Sequence, residues 1–318
     1  MPSFSDLPGS EGFLLPATRA SWSRRSPRPA GPHRRQASRW SLNRKPFRVV
    51  RGTILKDQRM KNVRSLLAAI VGLFAVSTSA SDFADAVLSY SPGTGFASGF
   101  TNATVALGAP TSGVNPFSPA FRSTQLVSLG SGGSLTVQFL TPILNDPSHS
   151  YGLDFLIFGN SGFIITNGNF SGGGITDGSL FGHNTGATRV SVSQDNLTYY
   201  QLNPQLAPNV DGLFPTDGTG DFHMPVNPAL SGADFAGKNL ADIHSLYAGS
   251  DGGTGFDISW GQDRDGKSVL LDSISYIRID VLSGKSEIDA ISAVPEPSTL
   301  ALILTGGLFT LHFHRRRS

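Results

Sequence analysis

Carboxylates are the residues of this chain best placed to do chemistry. Between residues 81 and 294 there are nineteen acidic side chains, all aspartate except Glu287. A short carboxylate suits a turn, where it bonds backbone N–H groups close by in the chain. It also suits a calcium loop, where hard oxygen ligands close around the ion. The aspartates gather in two places. Asp211, Asp217 and Asp221 lie in Asp-Gly-Leu-Phe-Pro-Thr-Asp-Gly-Thr-Gly-Asp; Asp263 and Asp265 lie in Asp-Arg-Asp-Gly, with Asp251 and Asp257 upstream. Neither place completes the EF-hand pattern, which needs a third spaced ligand and a bidentate Glu. Asp211, Asp217 and Asp221 are the candidate calcium ligands, with an Asx-turn-rich surface loop as the other reading. Asp265-Gly266 reads as a hairpin turn. Asp154 and Asp257 stand among strand residues, where an unpaired carboxylate is costly to bury. Each needs a cation, an arginine or backbone donors, and Arg189 and Arg278 are the arginines at hand.

Other chemistries leave fainter traces. The run Gly159-Asn160-Ser161-Gly162 lacks the closing glycine of a nucleophile elbow, and no His-Glu-x-x-His occurs. His149, His183, His223 and His244 are scattered, so a triad would have to be assembled by the fold from distant residues. An enzyme acting on exopolysaccharide is therefore kept as an alternative without a motif behind it. Tyr199, Tyr200, Tyr247 and Trp260 are candidates either for stacking on sugar rings or for the core, where a polar tip finds a hydrogen bond. With no cysteine in the chain, disulfides, thiolate metal sites and thiol nucleophiles are excluded together.

The elements that must position these residues are strands. Leu135, Val137 and Phe139 alternate with polar neighbours, as do Val190 and Val192, which is the period of a half-buried strand. Residues 125–129 precede the first of these across Gly130-Ser-Gly-Gly133, and the pair reads as a hairpin. Residues 190–193 and 197–202, joined by Gln194-Asp195-Asn196, read as a second. Residues 153–158 are apolar on both faces and predict a central strand. Residues 256–260, 274–281 and 288–294 complete the set. One short helix is predicted at residues 240–247, where Leu240, Ile243, Leu246 and Tyr247 share a face. Residues 163–187 and 203–237 are long and irregular, rich in Gly, Pro, Asn and Asp. Eight or nine strands with little helix predict an all-β fold, a β-sandwich of jelly-roll kind. An eight-stranded closed barrel is the second choice. The predicted core is Leu135, Val137, Phe139, Phe155, Ile157, Val190, Val192, Ile258, Ile277 and Ile279.

Charge divides the chain further. Residues 1–59 hold 13 Lys and Arg against three acids, and residues 81–294 hold seven against nineteen, a balance of −12. Such a body repels nucleic-acid backbones, so no nucleic acid is expected as a partner. Residues 1–59 are rich in Arg, Ser and Pro and cannot bury enough surface to fold alone. They read as a disordered basic extension, with Met60 as the better start. Residues 60–80 have the parts of a signal peptide: Lys61 and Arg64, an apolar run at 66–76, and small residues before Ser81. Residues 81–293 form the domain. At the other end, Val294, Pro295, Glu296 and Pro297 make a rigid extended mark. An apolar stretch of about 14 residues follows, roughly 21 Å as a helix, and then Arg315, Arg316 and Arg317.

The order Pro-Glu-Pro, apolar run and terminal arginines resembles the PEP-CTERM sorting signal of bacteria that export proteins alongside exopolysaccharide. The resemblance covers residues 294–318. A second resemblance covers most of residues 120–294, to a β-rich domain common in exported PEP-CTERM proteins. It rests on residues 126–139 and 152–160, Val190-Ser-Val-Ser-Gln-Asp195, Gly255-Phe-Asp-Ile258 and Ser275-Tyr-Ile-Arg-Ile279. These resemblances imply an exported surface β-sandwich with no catalytic mechanism attached. They further imply an exosortase-like sorting protease as partner, a membrane held through the C-terminal helix during sorting, and a setting of exopolysaccharide. The expected function is a structural or adhesive one at the cell surface or in the extracellular matrix. A calcium-dependent carbohydrate-binding module is the alternative.

Overall fold

The structure is a computed structural model that describes residues 81–295, all within one unit of the chain. Residues 1–80 and 296–318, on which the readings of a basic extension, a signal peptide and an apolar terminal run fall, lie outside the described residues. Among those described, no helix is long and apolar enough to cross a membrane. The strands are β1 (Ala86–Ser91), β2 (Val127–Gly130), β3 (Ser134–Leu144), β4 (Phe155–Gly159), β5 (Gly162–Ile165), β6 (Thr176–Phe181), β7 (Thr188–Ser193), β8 (Tyr200–Leu202), β9 (Thr254–Phe256), β10 (Gly261–Gln262), β11 (Ser273–Val281) and β12 (Lys285–Ala293). Between β8 and β9 lie two short helices, α1 (Gly232–Phe235) and α2 (Leu240–Tyr247). The fold is all-β, as the alternation predicts.

Three sheets carry it. One has six strands in the order β1-β3-β11-β7-β8-β10, one has four in the order β2-β12-β4-β9, and β5 pairs with β6. All these pairings are antiparallel. The strands are shared among open sheets, so the eight-stranded closed barrel is not the arrangement found. Leu135, Val137, Ile277 and Ile279 from the six-stranded sheet join Val127, Phe155, Ile157 and Ile288 from the four-stranded sheet in one buried cluster. All ten predicted core residues belong to it. The register explains why. Ile277 lies opposite both Val137 and Val192, and Ile279 opposite both Leu135 and Val190, so the apolar side chains of three neighbouring strands share one face.

Strand β4 buries both faces, as its unbroken apolar run predicts. Phe155 and Ile157 enter the main cluster, whereas Leu156 and Phe158 pack with Ala290, Val294 and Phe222 on the other side. Helix α2 has the predicted bounds. Its N-terminus is closed by a capping box between Asn239 and Asp242, and its C-cap, Ala248, is left-handed at φ 53°. Ile243 and Tyr247 pack with Phe163, Val226 and Phe235 in a second cluster, where Phe235 meets Phe163 with ring centroids 4.7 Å apart.

Several expectations need correction. Residues 125–129 and 135–139 are not a hairpin. Strand β2 pairs with β12 and β3 pairs with β1 and β11, so the glycines between them carry the chain from one sheet to the other. Their work is close approach: a Cβ on Gly130 or Gly133 would strike the backbone of residues 92–96 or of Gly130 itself. Residues 256–260 are strand only to Phe256. The Asp257 carboxylate then accepts the Ser259 N–H at 2.6 Å and turns Ile258–Trp260 into a 3-10 helix. The supposedly irregular stretch 163–187 holds most of the β5–β6 pair. A second short helix, α1, is opened by Ser231, whose backbone N–H and hydroxyl both bond the Asp234 carboxylate.

Candidate functional site

Two regions gather polar side chains in ways the core does not require. The first is the outward face of the six-stranded sheet. Residues that alternate with the buried Val and Ile positions fall into rows across the strands. Ser89, Thr136, Arg278, Ser191 and Gln201 form one row, and Gln138, Tyr276 and Ser193 form the next. Arg189 and Arg278 share Asp280, with contacts of 3.2 and 2.8 Å to its two oxygens. That triplet carries one positive charge beyond what Asp280 balances. Beside it, Arg189, Ser191, Tyr199, Gln201, Gln262, Asp263 and Arg264 line an open hollow of about 220 Å³. Arg264 sits in the tight turn after β10, where the Asp263 carboxylate accepts the N–H groups of Asp265 and Lys267 at 2.9 Å each. Asp263 is thus the turn-former, and Gly266 follows at φ 76°, as the hairpin-turn reading expects. Thr136, Ser191 and Ser193 are buried in these rows, so the amides and guanidinium groups, with the Tyr199 and Tyr276 rings among them, are what could hydrogen-bond sugar hydroxyls and pack on sugar rings.

Of the four aromatics picked out in the sequence, the structure leaves Tyr199 for this face. The Tyr199 hydroxyl donates to Asn196 at 2.6 Å. Tyr200 and Trp260 pack on the main core. Tyr247 is buried, its hydroxyl donating to the Pro215 carbonyl at 2.8 Å. Tyr276 is the ring that sequence reasoning passed over. Its signal was there, at the outward position between Ile274 and Ile277, but Tyr276 was counted only as part of a strand.

The second region is the loop set that carries the aspartates. Asp211 is buried at φ 59°, and its carboxylate accepts backbone N–H groups from Asn160, Ser161 and Glu287. Burial, reinforced by Glu287 nearby, pushes its pKa up to about 7 despite those donors. Asp217 is buried elsewhere, its N–H donating to the Asp251 carbonyl at 2.9 Å. Asp221 is exposed and turns the chain by accepting the N–H of His223 at 2.9 Å. The side chains of the three predicted calcium ligands therefore share no hydrogen-bond partner. Among the described residues, no three His, Cys, Asp or Glu side chains converge on a point fit for a metal ion. Asp251 and Asp289, not singled out as candidate ligands in the sequence, are also buried, and desolvation holds each at about 6. The Asp289 carboxylate accepts from the N–H and hydroxyl of Thr111, both at 2.9 Å.

Asp154 finds its partners without either arginine. Its carboxylate accepts the N–H groups of Ile258 and Asp146 and lies 2.8 Å from His149 Nδ1. Desolvation still raises its pKa. An aspartate behind an imidazole is the base-and-orienter half of a hydrolytic triad. The far nitrogen, His149 Nε2, has no hydrogen-bond partner among the described residues, so no hydroxyl is placed for activation. The pair escaped sequence reading because Tyr151, left-handed at φ 60°, folds His149 back onto Asp154.

No known family matches this chain, and no curated protein matches it. The functional reading therefore rests on the geometry above and on the motifs at the ends.

Of the residues expected to form a sorting signal, Val294 and Pro295 are described, while Glu296, Pro297, Arg315, Arg316 and Arg317 are outside the described residues. Val294 is buried, and its N–H donates to the Asp154 carbonyl at 2.8 Å; Pro295 is exposed. Residues 81 and 82 reach the same place. The Ala293 N–H donates to the Asp82 carbonyl, and Ser81, Thr141, His149, Val294 and Pro295 line one hollow of about 180 Å³.

Proposed function

We propose that this chain is an exported protein with an adhesive, structural role at the cell surface or in the extracellular matrix. In this reading its body is a β-sandwich of jelly-roll kind, and the outward face of the six-stranded sheet holds matrix polysaccharide. The observation that carries the reading is the composition of that face. In a body with a charge balance of −12, three of the seven basic residues, Arg189, Arg264 and Arg278, stand with only Asp263 and Asp280 against them, beside Tyr199, Gln201 and Gln262, around one hollow or at its edge. A sandwich accords with the shared core of the two larger sheets. Sorting through Val294, Pro295, Glu296, Pro297 and the terminal arginines supplies the location, with an exosortase-like protease as partner and the apolar run held in the membrane meanwhile.

Two experiments test the two halves. Deleting residues 295–318 is expected to release the folded domain into the medium; retention at the envelope overturns the sorting half. Sedimentation with isolated matrix polysaccharide is expected to carry down the wild-type protein. The Tyr199→Ala/Tyr276→Ala variant should lose about tenfold in affinity, taking each lost ring contact at roughly 0.5–1.5 kcal/mol. Its melting temperature should move little. Equal sedimentation of the variant sinks the adhesive half.

A further inference from the structure

Residues 214–221 and 249–253 form a double loop zipped by backbone hydrogen bonds. Asp217 N–H donates to the Asp251 carbonyl at 2.9 Å, Asp251 N–H to Asp221 at 3.2 Å, Asp221 N–H to Gly249 at 2.8 Å and Gly253 N–H to Phe214 at 2.9 Å. The two chains run so close that a Cβ at Gly220 would strike the Ser250 carbonyl, and one at Gly252 the Pro215 carbonyl. Inside this zip Thr216, Asp217 and Asp251 are 1%, 3% and 0% exposed. Asp251 Oδ1 accepts the Gly220 N–H at 2.6 Å, and the backbone N–H groups of Thr219 and Gly218 also favour this carboxylate. Asp251 Oδ2, Asp217 Oδ1 and Thr216 Oγ1 have no hydrogen-bond partner among the described residues. No described lysine or arginine pairs with either carboxylate. His244 Nε2 lies 2.9 Å from Asp217 Oδ1 but is not aligned for a hydrogen bond, and counts as unpartnered itself.

Asp217 and Asp251 lie close enough to repel each other, neither has a lysine or arginine partner, and burial strips both of hydration. A built, glycine-lined enclosure that keeps them together calls for a neutralising partner. Three unpartnered hard oxygens, two of them anionic, form a donor set suited to a hard cation and poor for zinc or copper. Calcium accepts irregular shells completed by carbonyls and water, whereas magnesium demands a near-octahedral one. We propose that Asp217, Asp251 and Thr216 bind a calcium ion that staples the two loops together. Carbonyls or water supply the remaining ligands, because among the described residues no three His, Cys, Asp or Glu side chains converge here. The proposal keeps Asp217 from the sequence-based trio, replaces Asp211 and Asp221, and does not rest on the adhesive reading.

The test uses the full-length protein at pH 8. Calcium chloride is titrated by calorimetry, and melting is followed in calcium and in chelator. Terbium emission is followed under tyrosine excitation, because Tyr247 is anchored on this loop through Pro215. Calcium at a hundredfold excess over Kd is expected to raise the melting temperature by several degrees. Terbium emission should appear and be displaced by calcium. Asp251→Asn should abolish both signals and Asp221→Asn should keep them. If Asp251→Asn does not fold, Thr216→Val should still weaken calcium binding several-fold. Overlaid wild-type melts with no titration heat and no terbium emission overturn the proposal, as does loss of both signals in Asp221→Asn alone.

Discussion

Asp211 is the residue on which the long loop after β8 depends. One carboxylate receives three buried backbone donors, and a hydrogen bond from Asn160 to Glu287 ties the same corner to β12. Asp211→Ala would orphan those donors at about 1–3 kcal/mol each, and would place alanine at a left-handed φ. A loss of about 3 kcal/mol or more is expected by denaturant unfolding. Asp211→Asn keeps an acceptor oxygen and tolerates the conformation, so it should lose distinctly less. Equal losses in the two variants would mean that the donors are not what matters. The carboxylate's singular place was invisible in the sequence, where Asp211 looked like its neighbours Asp217 and Asp221. Which aspartate is buried depends on where the loop lies against β4 and β12, and that contact spans more than 50 residues of chain. Asp154 was legible as an anomaly, a charge in an apolar run, but its histidine partner was not.

At the scale of elements, alternation carried the reading well wherever a strand has one wet face. Strands β3, β7 and β11 and helix α2 were all legible, because period and capping are local properties. Strand β2 was misjudged because both its faces are covered, so its pattern says nothing about which sheet it joins. The glycines between β2 and β3 look the same as hairpin glycines in sequence and differ only in what approaches them. That difference predicts a contrast. Gly130→Ala forces a Cβ into the backbone of residues 94–96 and should cost about 1–3 kcal/mol or more. Gly132→Ala meets nothing within 4 Å and pays only for its positive φ of 75°, about 1 kcal/mol. Thermal melts of the two variants are expected to separate accordingly, and a reversed order would contradict the crossover.

For the whole molecule, the buried acids set the response to pH. Asp211 is held at about 7, and Asp251 and Asp289 at about 6, against an ordinary 3.8, chiefly by desolvation. Between roughly pH 4 and 7 the folded protein therefore binds protons that the unfolded chain has released. Stability from these groups is complete below about pH 4 and is lost as pH rises through 6 and 7. In chelator, the melting temperature should be several degrees higher at pH 5 than at pH 8. The accumulated negative charge of the body acts in the same direction. A melting temperature that is flat or rising over this interval would show that the buried carboxylates are neutralised in some other way.

Strand β12 lies inside the four-stranded sheet, paired with β2 on one side and β4 on the other, and the chain leaves it at Val294 and Pro295. Its ladder bonds run across the strand direction. A pull along the chain at Pro295 therefore loads both ladders in shear, so that many bonds must fail together rather than peel one by one. The bonds from Ala84 to Ile291 and from Ala293 to Asp82 add a third line of resistance. A body tethered through this end and gripping a matrix by its other large sheet would meet drag with a strand held on both sides.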